Sequence, residues 1–288
     1  MPEGRVWFVT GAARGLGVVI ARAALATGNQ VVATGRDRAA VASAVGPADD
    51  LLVTALDVTS PQQAEAAAAA AVERFGRIDV LVNNAGYGQF GYFEELSPAQ
   101  IERQFATNVF GVMHVTRAVL PYLRSQRAGH VLTISSASGL VGGAGRSAYH
   151  SSKFALEGLM ECLHLELAPF GIATTVVEPG FLRTEFLGAS SLLYGEREVA
   201  EYAARSAELR AWHDTKRGHE ESDPAKLAQV LVALVGSDPP PRRFVAGNDA
   251  YELVEEDLAR RQVELAAGRE LSTSIGVDSI GVDSAGGS

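Results

Sequence analysis

The sequence predicts a single-domain α/β protein built on a doubly wound parallel sheet with helices on both faces. Three observations point to it. Short aliphatic and β-branched runs alternate with longer amphipathic stretches, the pattern of strands joined by crossover helices. The runs are almost uninterruptedly apolar, as strands buried on both faces require. A glycine-rich turn, Thr10-Gly11-Ala12-Ala13-Arg14-Gly15-Leu16-Gly17, follows the first run.

Seven strands are expected at residues 5–10, 30–35, 51–56, 78–82, 129–135, 172–178 and 242–246. Helices are expected at 15–27, 39–45, 61–75, 98–123, 149–170 and 224–235. Their starts are marked. Ser60-Pro61-Gln62-Gln63 and Ser97-Pro98-Ala99-Gln100 read as capping boxes with proline in the first turn. Asp223-Pro224 reads as a cap followed by proline. The alternation breaks at residues 181–222, a long mixed connection of the kind that often carries function. From Leu271 onward, Ser-Ile-Gly-Val-Asp occurs twice, which predicts a poorly ordered tail. The expected organisation is one doubly wound α/β domain over 1–270, a lid-like connection within it at 181–222, and a tail at 271–288.

Composition narrows the function. Hydrophobic residues make up 47% of the 288 and charged residues 20%, enough to bury a sizeable core. The net charge of −9 disfavours nucleic acid and anionic membranes, so any phosphate site is local. No apolar run reaches the length of a membrane span and no signal peptide is visible. With one cysteine, Cys162, a disulfide framework or thiolate metal cluster is excluded. Cys162 is expected as a small buried hydrophobe. The histidines show no metal spacing. A cytoplasmic protein is expected.

The glycine turn would let backbone N–H groups approach a diphosphate at a helix N-terminus. At the end of the second strand, where an acidic residue commonly accepts the adenosine ribose hydroxyls, the sequence reads Thr34-Gly35-Arg36-Asp37. Arg36 and Arg14 together favour a 2′-phosphate and hence NADP(H). Asp37 is the competing candidate: two residues further along, it would read an unphosphorylated ribose.

Tyr149 and Lys153 lie four residues apart, on one helical face. A nearby ammonium stabilises a phenolate, predicting a tyrosine that exchanges its proton readily. Lysine is scarce: Lys153, Lys216 and Lys226 are the three in the chain, so Lys153 stands out where arginine is the usual cation. Ser136 precedes Tyr149 by thirteen residues and sits at the edge of the fifth strand, where parallel sheets bind ligands. A turn-closing hydroxyl is its other reading.

In order, these motifs resemble the short-chain dehydrogenase/reductase family. The resemblance runs strongly from Gly4 to Thr184 and more loosely from Pro224 to Ala250. It takes in the Gly11/Arg14/Gly15/Leu16/Gly17 turn, Asp57-Val58, Asn83-Asn84-Ala85-Gly86, Asn108, Ser136, Tyr149/Lys153 and Pro179-Gly180-Phe181-Leu182-Arg183-Thr184. It implies that Asp57 and Val58 meet the adenine end and that Asn84, Ala85 and Gly86 line the cofactor. It implies that Pro179, Gly180 and Thr184 hold the nicotinamide carboxamide, and that Asn108 supports a water linked to Lys153. The implied reaction is NADPH-dependent carbonyl reduction, or the reverse oxidation. Ser136 would bind the substrate oxygen, Tyr149 would donate the proton, and Lys153 would anchor the nicotinamide ribose. His150 departs from the small residue common after the tyrosine and is expected to point away. The family also implies a homo-oligomer, dimer or tetramer. Three rivals stand beside this reading: an NAD-dependent alcohol dehydrogenase, a non-enzymatic NADP(H) sensor on the same fold, and a sugar-nucleotide epimerase. The epimerase would need more chain after Thr184 than this sequence has.

Overall fold

The computed structural model describes residues 4–188 and 191–276. Along the chain lie β1 (Val6–Val9), α1 (Gly15–Ala26), β2 (Gln30–Gly35), α2 (Arg38–Val45), β3 (Leu51–Ala55), α3 (Pro61–Phe75), β4 (Val80–Asn83), β5 (Gly88–Phe90), α4 (Pro98–Phe105) and α5 (Gly111–Gln126). They are followed by β6 (Gly129–Ile134), α6 (Ser147–Leu167), β7 (Ile172–Pro179), β8 (Leu192–Tyr194), α7 (Ala203–Lys216), α8 (Pro224–Val235), β9 (Arg243–Ala246), α9 (Asn248–Ala267) and α10 (Arg269–Thr273).

The main sheet has seven parallel strands in the order β3-β2-β1-β4-β6-β7-β9. Its direction of growth reverses between β1 and β4, and in open α/β sheets the crevice beyond the strand ends at that reversal binds ligands. Alternation along β1 shows how the layers form. Trp7 and Val9 face a layer where Ile20, Ala21 and Ala24 of α1 meet Leu227, Leu231 and Leu234 of α8. Val6 and Phe8 face the opposite layer, with Ala64 and Ala68 of α3, Val115 and Val119 of α5, and Met160 and Leu163 of α6. All four β1 residues are almost wholly buried, so the strand's apolar run is explained by two covered faces.

The predicted starts hold with one change. Ser60 accepts from Gln63 N, but the Gln63 side chain accepts instead from Asp57 N at 2.8 Å, so this is half a capping box. The box at Ser97/Gln100 is complete, and Asp223 caps α8.

Several expectations need correction. The single helix expected over 98–123 is interrupted by a π-helical turn, Ala106–Phe110, which contains Asn108. Residues 181–222 hold β8 and α7 rather than an irregular connection. β8 pairs in parallel with β5 as a separate two-stranded sheet. Cys162 is exposed, since the buried face of α6 runs through Leu156, Met160, Leu163 and Leu167. Beyond Ala250 the chain continues α9 to Ala267, a helix the composition did not announce. Leu271–Thr273 of the expected tail complete α10, and residues 277–288 lie outside the described residues. No helix among the described residues is long and apolar enough to cross a membrane.

Candidate active site

The two ends of the sheet reversal are stitched together by Thr10. Its hydroxyl accepts from Asn84 N at 2.9 Å and Ala85 N at 3.0 Å, and donates to Val82 O at 3.2 Å. Asn84 Nδ2 returns a bond to Thr10 O at 2.9 Å. The glycine turn therefore lies against Asn84-Ala85. A Cβ at Gly11, where φ is +68°, would lie 2.8 Å from Ala85 Cα, and one at Gly17 would lie 2.4 Å from Gly11 O. Only glycine allows this approach.

The turn ends at α1, whose N-terminal N–H groups carry no side-chain cap. Arg14 at the cap makes no side-chain capping bond, and the first turn carries no acid. By contrast Asp37, Ser60, Ser97 and Asp223 cap α2, α3, α4 and α8. An uncapped helix start beside a glycine cradle fits a dinucleotide diphosphate. Thr184 stands across the opening, 3.7 Å from where a Gly15 Cβ would sit. Leu16 packs on the adjoining core.

The end of β2 is equally defined. Ala12 N donates to Thr34 O at 2.8 Å, so the turn docks on β2. Gly35 closes that strand, and a side chain there would collide with Val41 Cγ2 at 2.7 Å. Packing thus excludes a carboxylate at position 35. Arg14 and Arg36 are both exposed beside this junction. The Asp37 carboxylate is engaged: its Oδ1 accepts from Ala39 N and Ala40 N. Asp57 accepts from Thr59 N and Oγ1, and Val58 is buried with its carbonyl against His114 Nδ1.

Tyr149 and Lys153 are both buried on α6. Lys153 Nζ donates to Ile134 O at 2.8 Å and lies 5.7 Å from the Tyr149 ring centroid. Burial pulls this amine down to about 8, against the opposing pull of Glu157. Burial also pushes the Tyr149 phenol up to about 12, with the neighbouring Ser136 hydroxyl acting the other way. The phenol is thus raised where the sequence reading expected it lowered, because burial disfavours the charged form. At neutral pH Tyr149 is therefore a phenol.

Ser136 closes a turn, the second of its two readings. Its Oγ accepts from Ser138 N at 3.1 Å, closing a turn, and donates to Pro179 O at 3.2 Å, while still meeting Tyr149. Asn108 is almost fully buried; its amide spans both backbone groups of Tyr87 and reaches Ser152 Oγ at 3.4 Å. Gly86 lies against Asn108, with a Cβ there 3.2 Å from Oδ1. Gly180 N donates to Ala246 O, and Asp249 occupies the space where a Gly180 side chain would be. His150 is turned aside by Val141 O at 2.7 Å.

The sequence reading missed the roof of the site. Phe90, Leu187 and Leu192 pack on Tyr149 with Phe181, Phe186 and Tyr194 around them. His213 is buried beneath Phe90, with ring centroids 5.0 Å apart. The parallel pairing of β5 with β8 brings these residues over Tyr149. Neither strand exceeds three residues, too short to register as a pattern.

Comparison with known proteins places this architecture. The short chain dehydrogenase family profile matches residues 5–192. An oxidoreductase of Botryotinia fuckeliana is 39% identical over 252 residues, covering 86% of this chain and 90% of its own. The crystal structure of a short-chain dehydrogenase from Streptomyces avermitilis superposes with a TM-score of 0.87 at 36% identity, covering 96% of this chain and all of its own. A short chain dehydrogenase/reductase from Burkholderia phymatum, in complex with NAD, superposes with a TM-score of 0.80 at 25% identity, covering 92% and 97%. The chain belongs to the short-chain dehydrogenase/reductase family. It is an oxidoreductase of that family, whose members use a nicotinamide cofactor on small-molecule substrates.

Proposed function

We propose that this chain reduces a carbonyl compound to an alcohol with NADPH. The carrying observation is Tyr149: a buried phenol, held protonated by desolvation, in hydrogen-bond contact with Ser136 and one turn from a buried lysine. A general acid needs its proton in place and a partner that steadies the product anion.

The nicotinamide, when bound, supplies the hydride. The chain's residues do the rest. Gly11, Gly15, Leu16 and Gly17 hold the diphosphate; Arg14 joins Arg36 at the 2′-phosphate; Asp57 and Val58 border the adenine; Asn84, Ala85, Gly86, Pro179, Gly180 and Thr184 line the nicotinamide half. Ser136 orients the substrate oxygen, trading its bond to Pro179 O for one to the carbonyl. Tyr149 passes its proton to that oxygen. The Lys153 ammonium stabilises the tyrosinate left behind and binds the ribose. Asn108, fixed by Tyr87, supports the water that returns the proton.

NADP(H) is preferred on two supports. Packing bars a carboxylate at Gly35, and Asp37 Oδ1 is committed to capping α2, leaving Arg36 to read a 2′-phosphate. The NAD complex of the Burkholderia neighbour favours NAD(H) as the second reading. Residues 1–270 then act as one catalytic domain, with 181–222 as a lid over the substrate. A cytoplasmic homo-oligomer, dimer or tetramer, completes the reading; exposed Phe110, Met113 and Phe154 offer apolar surface for assembly. The test is steady-state reduction of a carbonyl panel by purified protein with NADPH and with NADH. Turnover faster with NADH rejects the cofactor assignment, and no turnover with either rejects the enzyme.

A further inference from the structure

Arg146 sits just before α6, three residues ahead of Tyr149. Its guanidinium carbon lies 4.9 Å from the Trp212 ring centroid and 5.8 Å from that of Phe90. Among the described residues it forms no ion pair, and its Nε is buried without a hydrogen-bond partner. Desolvation lowers its pKa, with the Tyr194 phenol as the opposing influence. Arg243 shows the usual solution for a half-buried arginine here: it is ringed by Glu157, Glu161 and Glu178. A desolvated guanidinium without a carboxylate is costly, and ring stacking offsets only part of that.

A second donor is unmet in the same wall. His213 is fully buried, with Tyr194 Oη 3.0 Å from Nδ1, and its Nε2 finds no partner. In the tautomer whose Nδ1 accepts from the phenol, Nε2 carries the proton and is available to donate. Phe90 touches both the His213 ring at 5.0 Å and the Tyr149 ring at 5.4 Å. The unpaired cation and the unmet donor are thus one aromatic ring away from the proposed proton donor.

We infer that Arg146, backed by His213, is an anion subsite, and that the substrates are carbonyl compounds bearing a carboxylate remote from the reacting carbon. This rests on the reductase reading and specifies its substrate class. An incoming carboxylate supplies the acceptor that Arg146 lacks, and does so in a partly dry site where a charge-assisted bond is strong. Uncharged carbonyls gain no such bond.

The test compares acid and ester of matched shape: 4-acetylbenzoate and 4-oxopentanoate, each against its methyl ester, with NADPH. The wild type is expected to favour the acids in kcat/KM by about tenfold to a hundredfold. R146Q brings the acid-to-ester ratio near one, and R146K keeps an intermediate ratio, since a point charge replaces the fork. A wild-type ratio at or below one overturns the subsite. So does a fall in acid and ester alike in R146Q, which would make Arg146 a latch holding Trp212. A binding arm needs no turnover. Of the two tryptophans, Trp7 is buried and Trp212 accessible, so benzoate titrated against tryptophan fluorescence reports on this wall. A saturable change weakened about tenfold or more in R146Q supports the subsite even if no carbonyl is reduced, in which case only the reductase reading falls. No saturable change overturns the subsite even if turnover proceeds.

Discussion

Thr10 Oγ1 lies 2.9 Å from Asn84 N and joins the strand ends on either side of the sheet's reversal. The same oxygen accepts from Ala85 N and donates to Val82 O. Thr10→Val keeps the shape and strands these backbone groups. The expected cost is about 1–3 kcal/mol, read by chemical denaturation, together with weaker NADPH binding because the cradle loses its far wall. Unchanged stability with unchanged binding would show that the stitch is dispensable.

Tyr149→Phe removes the phenolic proton and little else. Turnover should fall by at least about 10²-fold, within the ~10²–10⁴ range of general acid catalysis, while the NADPH dissociation constant stays nearly the same. Turnover close to wild type would end the assignment of Tyr149 as proton donor.

Arg36→Ala tests the cofactor reading. One charge-assisted bond to phosphate is worth roughly 1.5–3 kcal/mol, or about one to two powers of ten in affinity. NADPH should weaken by that order and NADH hardly change. If both weaken equally, or NADH is the tighter ligand of the wild type, Asp37 reads the ribose despite its capping role.

The lid over residues 181–222 predicts a protection experiment. Limited proteolysis should cut within this segment in the protein alone and slow when NADPH and substrate are present together. Cleavage there that ligands leave unaffected would argue for a fixed roof.

Three buried histidines set an acid limit on stability. Burial pulls His130, His150 and His213 each down to about 4, below the ordinary value near 6.5. The unfolded chain therefore binds more protons than the native one between those values, so stability is full above pH ~6.5 and is lost as pH falls toward 4. Each ring contributes up to about 2 kcal/mol of loss between pH 7 and 5. Glu178, pushed up to about 7 by burial and by Glu157, acts oppositely: its share is present at low pH and lost as pH rises through 7. The three histidines should dominate, giving a denaturation midpoint that falls on acidification. His130→Gln should flatten part of that slope. A midpoint independent of pH from 7 to 5 would contradict the burial seen here.

Legibility in the sequence followed physical causes. The inner strands read clearly because two covered faces make them largely apolar, as β1 shows. The glycine turn read clearly because close backbone contact with Ala85 and Asn84 admits no side chain. Tyr149 and Lys153 were visible by spacing, but the direction of the tyrosine's shift was not: it depends on burial under Phe90 and Leu192, which arrive from distant segments. The π-turn at Asn108 was hidden because apolar periodicity runs through it, and the partner of Asn108, Tyr87, lies in a different segment. Helix α9 was obscured by Leu258, Val263 and Leu265, which are exposed where an amphipathic pattern would place polar residues. Arg146 carried no motif; its meaning came only from the carboxylate it lacks.

The pairing of β5 with β8 also orders events in time. Gly88 and Leu192 are more than a hundred residues apart in the chain, whereas β1 and β2 meet across a single helix. Closing so long a loop for three residue pairs gains little until the intervening strands already hold its ends together. The main sheet therefore assembles first, with Tyr149 still open to water, and the roof zips on last. The reverse follows on warming: the roof is the first part to let go, and a heated sample should lose catalysis before it loses its sheet.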